Sequence, residues 1–188
     1  KSIIFLICIF LIINSFAVIA GADFTKSLEL KADIAYMVSL DENGGVICDK
    51  NSQVRCNPGE IAKLVTGILV LENCKDLNQT VTASSEAIRS VESLRITTAG
   101  ILVGEVMTVK ELLYCMLLYN ANDAAVVLAE LIAGSQQGFV EMMNGFVERL
   151  GLKDTSFTNP GGFPSGGQYS TARDIAEIFK YCLNNSEM

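Results

Sequence analysis

The sequence predicts an α+β domain in which a short β-hairpin is followed by a series of helices. Two strand-like runs flank a Gly-rich turn near the start of the chain, and helix-start signals recur through the remainder. No strand is predicted after residue 183. A chain of 188 residues is long enough for one domain with a sizeable core, and no internal repeat, linker or low-complexity tract divides it.

The hairpin is predicted from residues 35–40 and 45–49, which are strand-like and lie on either side of the turn sequence D-E-N-G-G. A two-stranded hairpin is only marginally stable alone and needs further strands or covering helices. We therefore expect the hairpin to pack against the helices that follow it.

Capping signals define the predicted helices. Asn57 and Pro58 open a helix that runs to about Cys74, because Asn is a good N-cap and Pro suits the first helical position. Thr108 with Glu111 forms a capping-box pattern that opens a helix through residue 118. The segment 81–98 is predicted to be mostly irregular. Further helices are predicted at 124–133, at 136–150 ended by Gly151, and at 171–183 capped by Ser170 or Thr171.

The N-terminus has the pattern of a secretory signal peptide. Lys1 precedes an almost entirely apolar stretch at 2–20, and small residues follow at Ala20, Gly21 and Ala22. This pattern predicts a signal peptide at 1–22, a mature domain at 23–188 and export to the extracellular space or cell envelope. The alternative is an uncleaved anchor, because about 19 apolar residues can span a bilayer. Membrane association is expected only through this segment.

Composition excludes several classes of function. The net charge is −7 with only 14 Lys plus Arg, so no nucleic-acid partner is expected. The absence of histidine excludes Ser-His-Asp and Cys-His catalysis and every His-based metal site. We expect neither a metal nor another cofactor. Beyond residue 22 the cysteines are odd in number and lack a C-x-x-C pair, which argues against a disulfide framework or zinc site. A bridge between Cys48 and Cys56 stays open.

Two sequence runs carry a family resemblance. Residues 57–67 read N-P-G-E-I-A-K-L-V-T-G, and residues 119–125 read Y-N-A-N-D-A-A. They resemble the S-x-x-K and S-x-N motifs of the penicillin-binding D-alanyl-D-alanine carboxypeptidases, which are serine acyl-transfer enzymes. The segments 100–113, 150–163 and 169–174 also resemble this family, so the likeness covers roughly 35–183. It implies a β-lactamase/transpeptidase-like fold: a helical cluster packed on the N-terminal hairpin, here with the C-terminal strands of the sheet missing.

The resemblance assigns four site positions. Glu60 occupies the position of the nucleophilic serine, and Lys63 matches the lysine that takes its proton. Asn120 occupies the position of the second-motif serine, and Asn122 matches the asparagine that holds the substrate amide. The third family motif, K-T-G, which binds the substrate carboxylate, does not occur in the sequence.

Glu60 cannot simply replace a serine. Carboxylate attack on an amide would give an unstable mixed anhydride, and the negative charge would repel the oxyanion formed beside it. The spacing of three residues predicts instead that Glu60 pairs with Lys63 and keeps it protonated. An acid at this position also complements the dipole of the predicted helix.

These observations favour an exported relative of the D-alanyl-D-alanine carboxypeptidases that is inactive or impaired. The expected partner is a peptidoglycan stem peptide ending in D-Ala-D-Ala, which the protein would bind without cleaving. One alternative is an active carboxypeptidase with another nucleophile, although none of Ser84, Ser85, Ser90 and Ser93 has a lysine three residues on. A further alternative is a truncated non-functional product or a fragment completed by another chain.

Overall fold

The computed structural model describes residues 30–41 and 44–188. These fall into two compact units that divide between Lys50 and Asn51. The predicted signal peptide at 1–22 lies outside the described residues. Within the described ranges, no helix combines the length and apolar character needed to cross a membrane.

The first unit contains the predicted hairpin. Strand β1 (Ala35–Val38) pairs antiparallel with β2 (Val46–Lys50), and the register is irregular between Met37 and Val38. Next to the turn, the Ser39 amide donates to the Gly45 carbonyl at 2.9 Å. The prediction of a hairpin is confirmed, with β1 two residues shorter than expected.

The second unit is mainly helical and contains one small antiparallel sheet. Its elements in chain order are α1 (Ala62–Asn73), β3 (Thr80–Thr82), α2 (Ser85–Glu92), β4 (Val106–Thr108), α3 (Val109–Leu118), α4 (Asn122–Ala133), α5 (Gln136–Arg149) and α6 (Ala172–Leu183). Strand β3 pairs with β4. Among the described residues, all five cysteines have free thiols.

Side-chain caps mark the starts of four helices, α2, α3, α5 and α6. The Thr108 hydroxyl accepts the Glu111 amide at 3.2 Å, and the Glu111 carboxylate accepts the Thr108 amide at 2.8 Å, which confirms the capping box at α3. At α6 the cap is Thr171, whose hydroxyl accepts the Asp174 amide at 3.1 Å. Hydrogen bonds of this kind can be predicted from sequence because both partners lie within one helical turn.

Two predictions of local structure were wrong. The segment 81–98, expected to be irregular, contains the end of β3 and all of α2. Strand β3 has only three residues, which is too short to show the alternation of apolar and polar residues that predicts a strand. Its partner, β4, is not adjacent in sequence. The helix expected from Asn57 and Pro58 starts later, because a 3-10 turn (Gly59–Ile61) precedes α1. The Asn57 side chain accepts the Gly59 amide at 2.9 Å, although the N-cap position of this turn is Pro58.

Helix α4 is the centre of the second unit. It packs against α1, α2, α3 and α5, and its residues from Asn122 to Ala129 are all buried. One group of apolar side chains joins α4 to α2 and α3, with Leu112, Met116 and Leu128 fully buried. A second group joins α1, α5 and α6 around Phe139 and Ile178. The N-terminus of α4 is thereby held in a fixed position, and the candidate site is built beside it.

Asp123 ties an irregular segment to the start of α4. Its buried carboxylate accepts backbone N–H groups from Ala99 at 2.9 Å, Gly100 at 2.9 Å and Ile101 at 3.0 Å. Backbone donors buried without such an acceptor would be costly. The sequence identified Asp123 only as a helix start and gave no sign of these partners.

We expect Asp123→Asn to lower the free energy of unfolding by about 2–4 kcal/mol, because an amide group would face backbone donors and the charge-assisted bonds would be lost. Urea denaturation measures this loss. Asp154→Asn is the matched control: Asp154 pairs with Arg55 at 2.8 Å, but both side chains are about half exposed, so its loss should stay below about 1 kcal/mol. Equal losses in the two variants would contradict the anchoring role of Asp123.

Candidate active site

Glu60 lies in the 3-10 turn directly before α1, and its side chain is exposed. Gly59 enters this turn with φ of +54°, a conformation that residues with a Cβ rarely adopt. The turn places the Glu60 carboxylate near the N-terminus of α1, which is the position where the family resemblance expects the nucleophilic serine.

Asn120 contacts Glu60 directly. It lies in the turn between α3 and α4 with φ of +65°, a left-handed conformation that Asn tolerates better than most residues. Its side-chain Nδ2 donates to Oε2 of Glu60. Among the described residues, the other carboxylate oxygen, Oε1, has no hydrogen-bond partner. The two positions that the sequence analysis aligns with the family serines therefore form a hydrogen-bonded pair.

Lys63 is buried, with 3% of its surface exposed, and its Nζ donates to the Gly161 carbonyl at 2.7 Å. Burial lowers the pKa of Lys63, and the negative charge of Glu60 opposes this shift without reversing it. The prediction that Glu60 pairs with Lys63 was wrong: within the described ranges, no ion pair joins them. The i,i+3 rule assumes one continuous α-helix, whereas Glu60 belongs to the preceding 3-10 turn.

Asn122 is the first residue of α4 and is almost fully buried. Its Nδ2 donates to the Thr97 carbonyl at 3.0 Å, and its backbone amide donates to the same oxygen at 3.0 Å. Because Nδ2 faces the Thr97 carbonyl, the orientation of the Asn122 side-chain amide is fixed. Its Oδ1 is buried without a hydrogen-bond partner. A Cβ at Gly161 would lie 2.2 Å from this oxygen, so the glycine is required for the close approach.

A loop at 159–163 completes the site, within a segment that is rich in Gly and Pro. The side-chain oxygen of Asn159, Oδ1, accepts the backbone amides of Gly161 at 3.2 Å and Phe163 at 3.1 Å. The Thr66 hydroxyl donates to the Pro160 carbonyl at 2.7 Å. These bonds hold the loop against the first turns of α1.

An open cleft of ≈ 570 Å³ lies at this junction. Glu60 and Arg95 are the two charged residues on its described lining, and Asn122 also borders it. Lys63 is not part of the lining and reaches the site through Gly161. Other residues on the lining are Asn57, Thr97, Ile96 and Phe163. The structure thus brings all four predicted site residues together around one cleft and its supporting loop.

The model of the family described as D-alanyl-D-alanine carboxypeptidase matches residues 22–188. The chain belongs to this family. D-alanyl-D-alanine carboxypeptidase DacF of Bacillus subtilis is 37% identical over 164 residues, which cover 84% of this chain and 41% of the relative. DacC of Escherichia coli is 31% identical over 149 residues, which cover 76% of this chain and 37% of the relative. The chain spans about two fifths of the length of these carboxypeptidases.

Solved structures of D-alanyl-D-alanine carboxypeptidases and related enzymes share the fold. The carboxypeptidase DacD from Francisella tularensis superposes with a TM-score of 0.75 at 29% identity, over 84% of this chain and 38% of the other. The Streptomyces K15 DD-transpeptidase gives a TM-score of 0.76 at 28% identity, over 82% and 62%. These matches confirm the predicted α+β, β-lactamase/transpeptidase-like fold class.

Gly162→Ala should destabilise this carboxypeptidase-family fold. Gly162 has φ of +72°, and a Cβ there would lie 1.8 Å from the Gly59 carbonyl oxygen, so the loop at 159–163 could not keep its contact with the Glu60 turn. We expect the free energy of unfolding to fall by at least about 2 kcal/mol.

Gly166→Ala is the matched control, because a Cβ at Gly166 meets nothing within 4 Å. Its unfolding free energy should stay within about 0.5 kcal/mol of the parent. Urea denaturation of both variants gives the comparison, and an unchanged midpoint for Gly162→Ala would show that the loop is not held by this contact.

Proposed function

We propose that the chain is an exported D-alanyl-D-alanine carboxypeptidase-family protein of peptidoglycan metabolism that binds stem peptides ending in D-Ala-D-Ala without cleaving them. The observation that carries this proposal is the Glu60 carboxylate at the nucleophile position, hydrogen-bonded to Asn120. Residues 1–22 would direct export as a signal peptide or anchor, and 23–188 would form part of the penicillin-binding domain.

The chemistry of Glu60 supports loss of turnover. A serine at the start of α1 would develop negative charge where the helix dipole and nearby N–H groups stabilise it. Glu60 already carries that charge and would repel the oxyanion of an attacked carbonyl. Attack by the carboxylate itself would give a mixed anhydride, a worse intermediate than an ester.

Lys63 retains one property of a general base, since burial lowers its pKa. A base needs a hydroxyl within hydrogen-bond reach, and the partner of Lys63 Nζ is the Gly161 carbonyl. Lys63 therefore supports the loop at 159–163 rather than activating a nucleophile.

The alternative of a different serine nucleophile finds no support in the geometry. Ser84 caps α2 and donates to the Glu130 carboxylate at 2.5 Å, and Ser90 donates to the Ala87 carbonyl at 2.6 Å. Within the described residues, no serine lines the cleft. A nucleophile must face the bound substrate, so these hydroxyls are in the wrong place.

We expect a fluorescent penicillin to leave the purified protein unlabelled. Penicillins acylate the family serine, and Glu60 offers no hydroxyl to form that ester. The measurement is in-gel fluorescence after denaturation, with an active family member such as the Bacillus subtilis relative as positive control. A labelled band that excess unlabelled penicillin removes would contradict the proposed inactivity.

Glu60→Ser alone is expected not to restore release of D-alanine from a D-Ala-D-Ala peptide. Asn120 still occupies the second serine position, and Lys63 still donates to the Gly161 carbonyl. A misplaced catalytic group can cost on the order of a hundredfold in rate.

The double variant Glu60→Ser/Asn120→Ser is the matched comparison, because it repairs both serine positions of the motifs. An enzyme-coupled D-alanine assay should give the parent's background rate for the single variant. A rate clearly above background for Glu60→Ser would show that Asn120 is not a second cause of inactivity.

A further inference from the structure

Gln168 lies behind the cleft, between two segments that line it. Its side chain is buried, with 8% of the residue exposed, and it is not part of the lining. Nε2 donates to Oδ1 of Asn57 at 3.0 Å, in the segment that leads into α1. The same nitrogen donates to the carbonyls of Gly162 and Phe163, each at 3.2 Å, in the neighbouring loop. Since all three partners line the cleft, one buried side chain connects two parts of its wall.

The orientation of the Gln168 amide is fixed by these partners. All three are oxygen acceptors, so a rotated amide would turn Oε1 toward three other oxygen atoms. In the observed orientation, Oε1 is buried and has no hydrogen-bond partner among the described residues. Burial of an unpartnered oxygen is unfavourable. The donor is therefore held in place even though the acceptor of the same amide goes unpaired.

Two of the three acceptors do not depend on Gln168 alone. Oδ1 of Asn57 also accepts the Gly59 amide at 2.9 Å, and the Phe163 carbonyl also accepts from Nδ2 of Asn159 at 3.0 Å. A side chain of similar length without polar atoms would break the connection but leave these two oxygens paired, and it would remove the unpaired Oε1. The effect of Gln168 on position can therefore be separated from its effect on stability.

Asn57 connects Gln168 to Glu60. Its Oδ1 holds the amide of Gly59, which immediately precedes Glu60 in the 3-10 turn. Without Gln168, Oδ1 of Asn57 would keep one of these two donors, and the side chain would be free to move with the turn. The Glu60 carboxylate would then lose the fixed position in which it accepts from Asn120.

We propose that Gln168 is a positioning residue of the candidate site. By holding Asn57 against the loop at 159–163, it fixes the turn before α1. It thereby determines where the Glu60 carboxylate meets Asn120. This inference concerns the geometry of the site and goes beyond the proposed function, because it holds whether or not the cleft binds a stem peptide.

The test follows the side-chain amide of Asn120 in the full chain by proton–nitrogen correlation NMR, with its signals assigned by their loss in Asn120→Ala. Gln168→Met keeps the approximate length of the side chain and removes its polar atoms. It should shift the Asn120 signals toward those of solvent-exposed amides and speed their exchange with water, because the hydrogen bond to Glu60 is weakened. Its urea midpoint should stay closer to the parent's than that of Gly162→Ala does.

Gln137→Met is the matched control, because it makes the same change at an exposed glutamine of α5 that donates to Glu141 at 3.3 Å. It should leave the Asn120 signals unchanged. A second comparison places Gln168→Met in an Asn57→Ser background. The serine hydroxyl can still accept the Gly59 amide but is too short to keep the contact with Gln168, so Gln168→Met should cause no further shift there.

Unchanged Asn120 signals in Gln168→Met would overturn this inference, as would an equal shift in Gln137→Met. A further shift in the Asn57→Ser background would show that Gln168 does not act through Asn57. A urea midpoint for Gln168→Met as low as that of Gly162→Ala, or loss of its cooperative transition, would show that Gln168 maintains the fold rather than positioning Glu60.

Discussion

The hydrogen bond from the Lys63 ammonium to the Gly161 carbonyl is the contact on which the candidate site depends. A buried ammonium is costly without a partner, so the carbonyl has to lie within reach. That requirement draws the loop at 159–163 onto the start of α1, and the approach is possible because two of its residues are glycines. A side chain at Gly161 would overlap Asn122, and one at Gly162 would overlap the Gly59 carbonyl.

The loop at 159–163, held against α1, forms part of the cleft wall. Gly162 and Phe163 form part of the lining, and the Glu60 turn faces them. Thr66 adds a second tie through the Pro160 carbonyl, and Gln168 donates to the Gly162 carbonyl at 3.2 Å. The other side of the cleft is held by α4, because Asn122 binds the Thr97 carbonyl. Lys63 thus shapes the site although it does not line it.

The sequence predicted the parts of the structure that depend on near neighbours. The capping box of Thr108 and Glu111 and the cap at Thr171 act within one helical turn; the box was predicted, and Thr171 was one of the two predicted caps. The family motifs also pointed to four residues, and the structure places these beside the cleft or the loop that supports it. They could not predict the partners of those residues, because Lys63 binds a carbonyl 98 positions away and Glu60 binds an amide 60 positions away. The contacts of Asp123 were missed for the same reason. Its carboxylate accepts backbone N–H groups, which residues of any type but proline carry, so the sequence does not identify the donors.

Glu60 and Asn120 are best considered together, because the side chain of Asn120, in the turn between α3 and α4, donates to the carboxylate of Glu60, in the turn before α1. Under the proposed assignment, an acid and an amide stand at the two serine positions of the motifs. Catalysis requires groups whose interactions strengthen as the transition state forms, whereas a fixed carboxylate interacts most strongly with a charge already present in the ground state. Under the proposed function, the carboxylate that Asn120 holds therefore disfavours a developing oxyanion at this position, and the cleft beside it serves recognition rather than turnover.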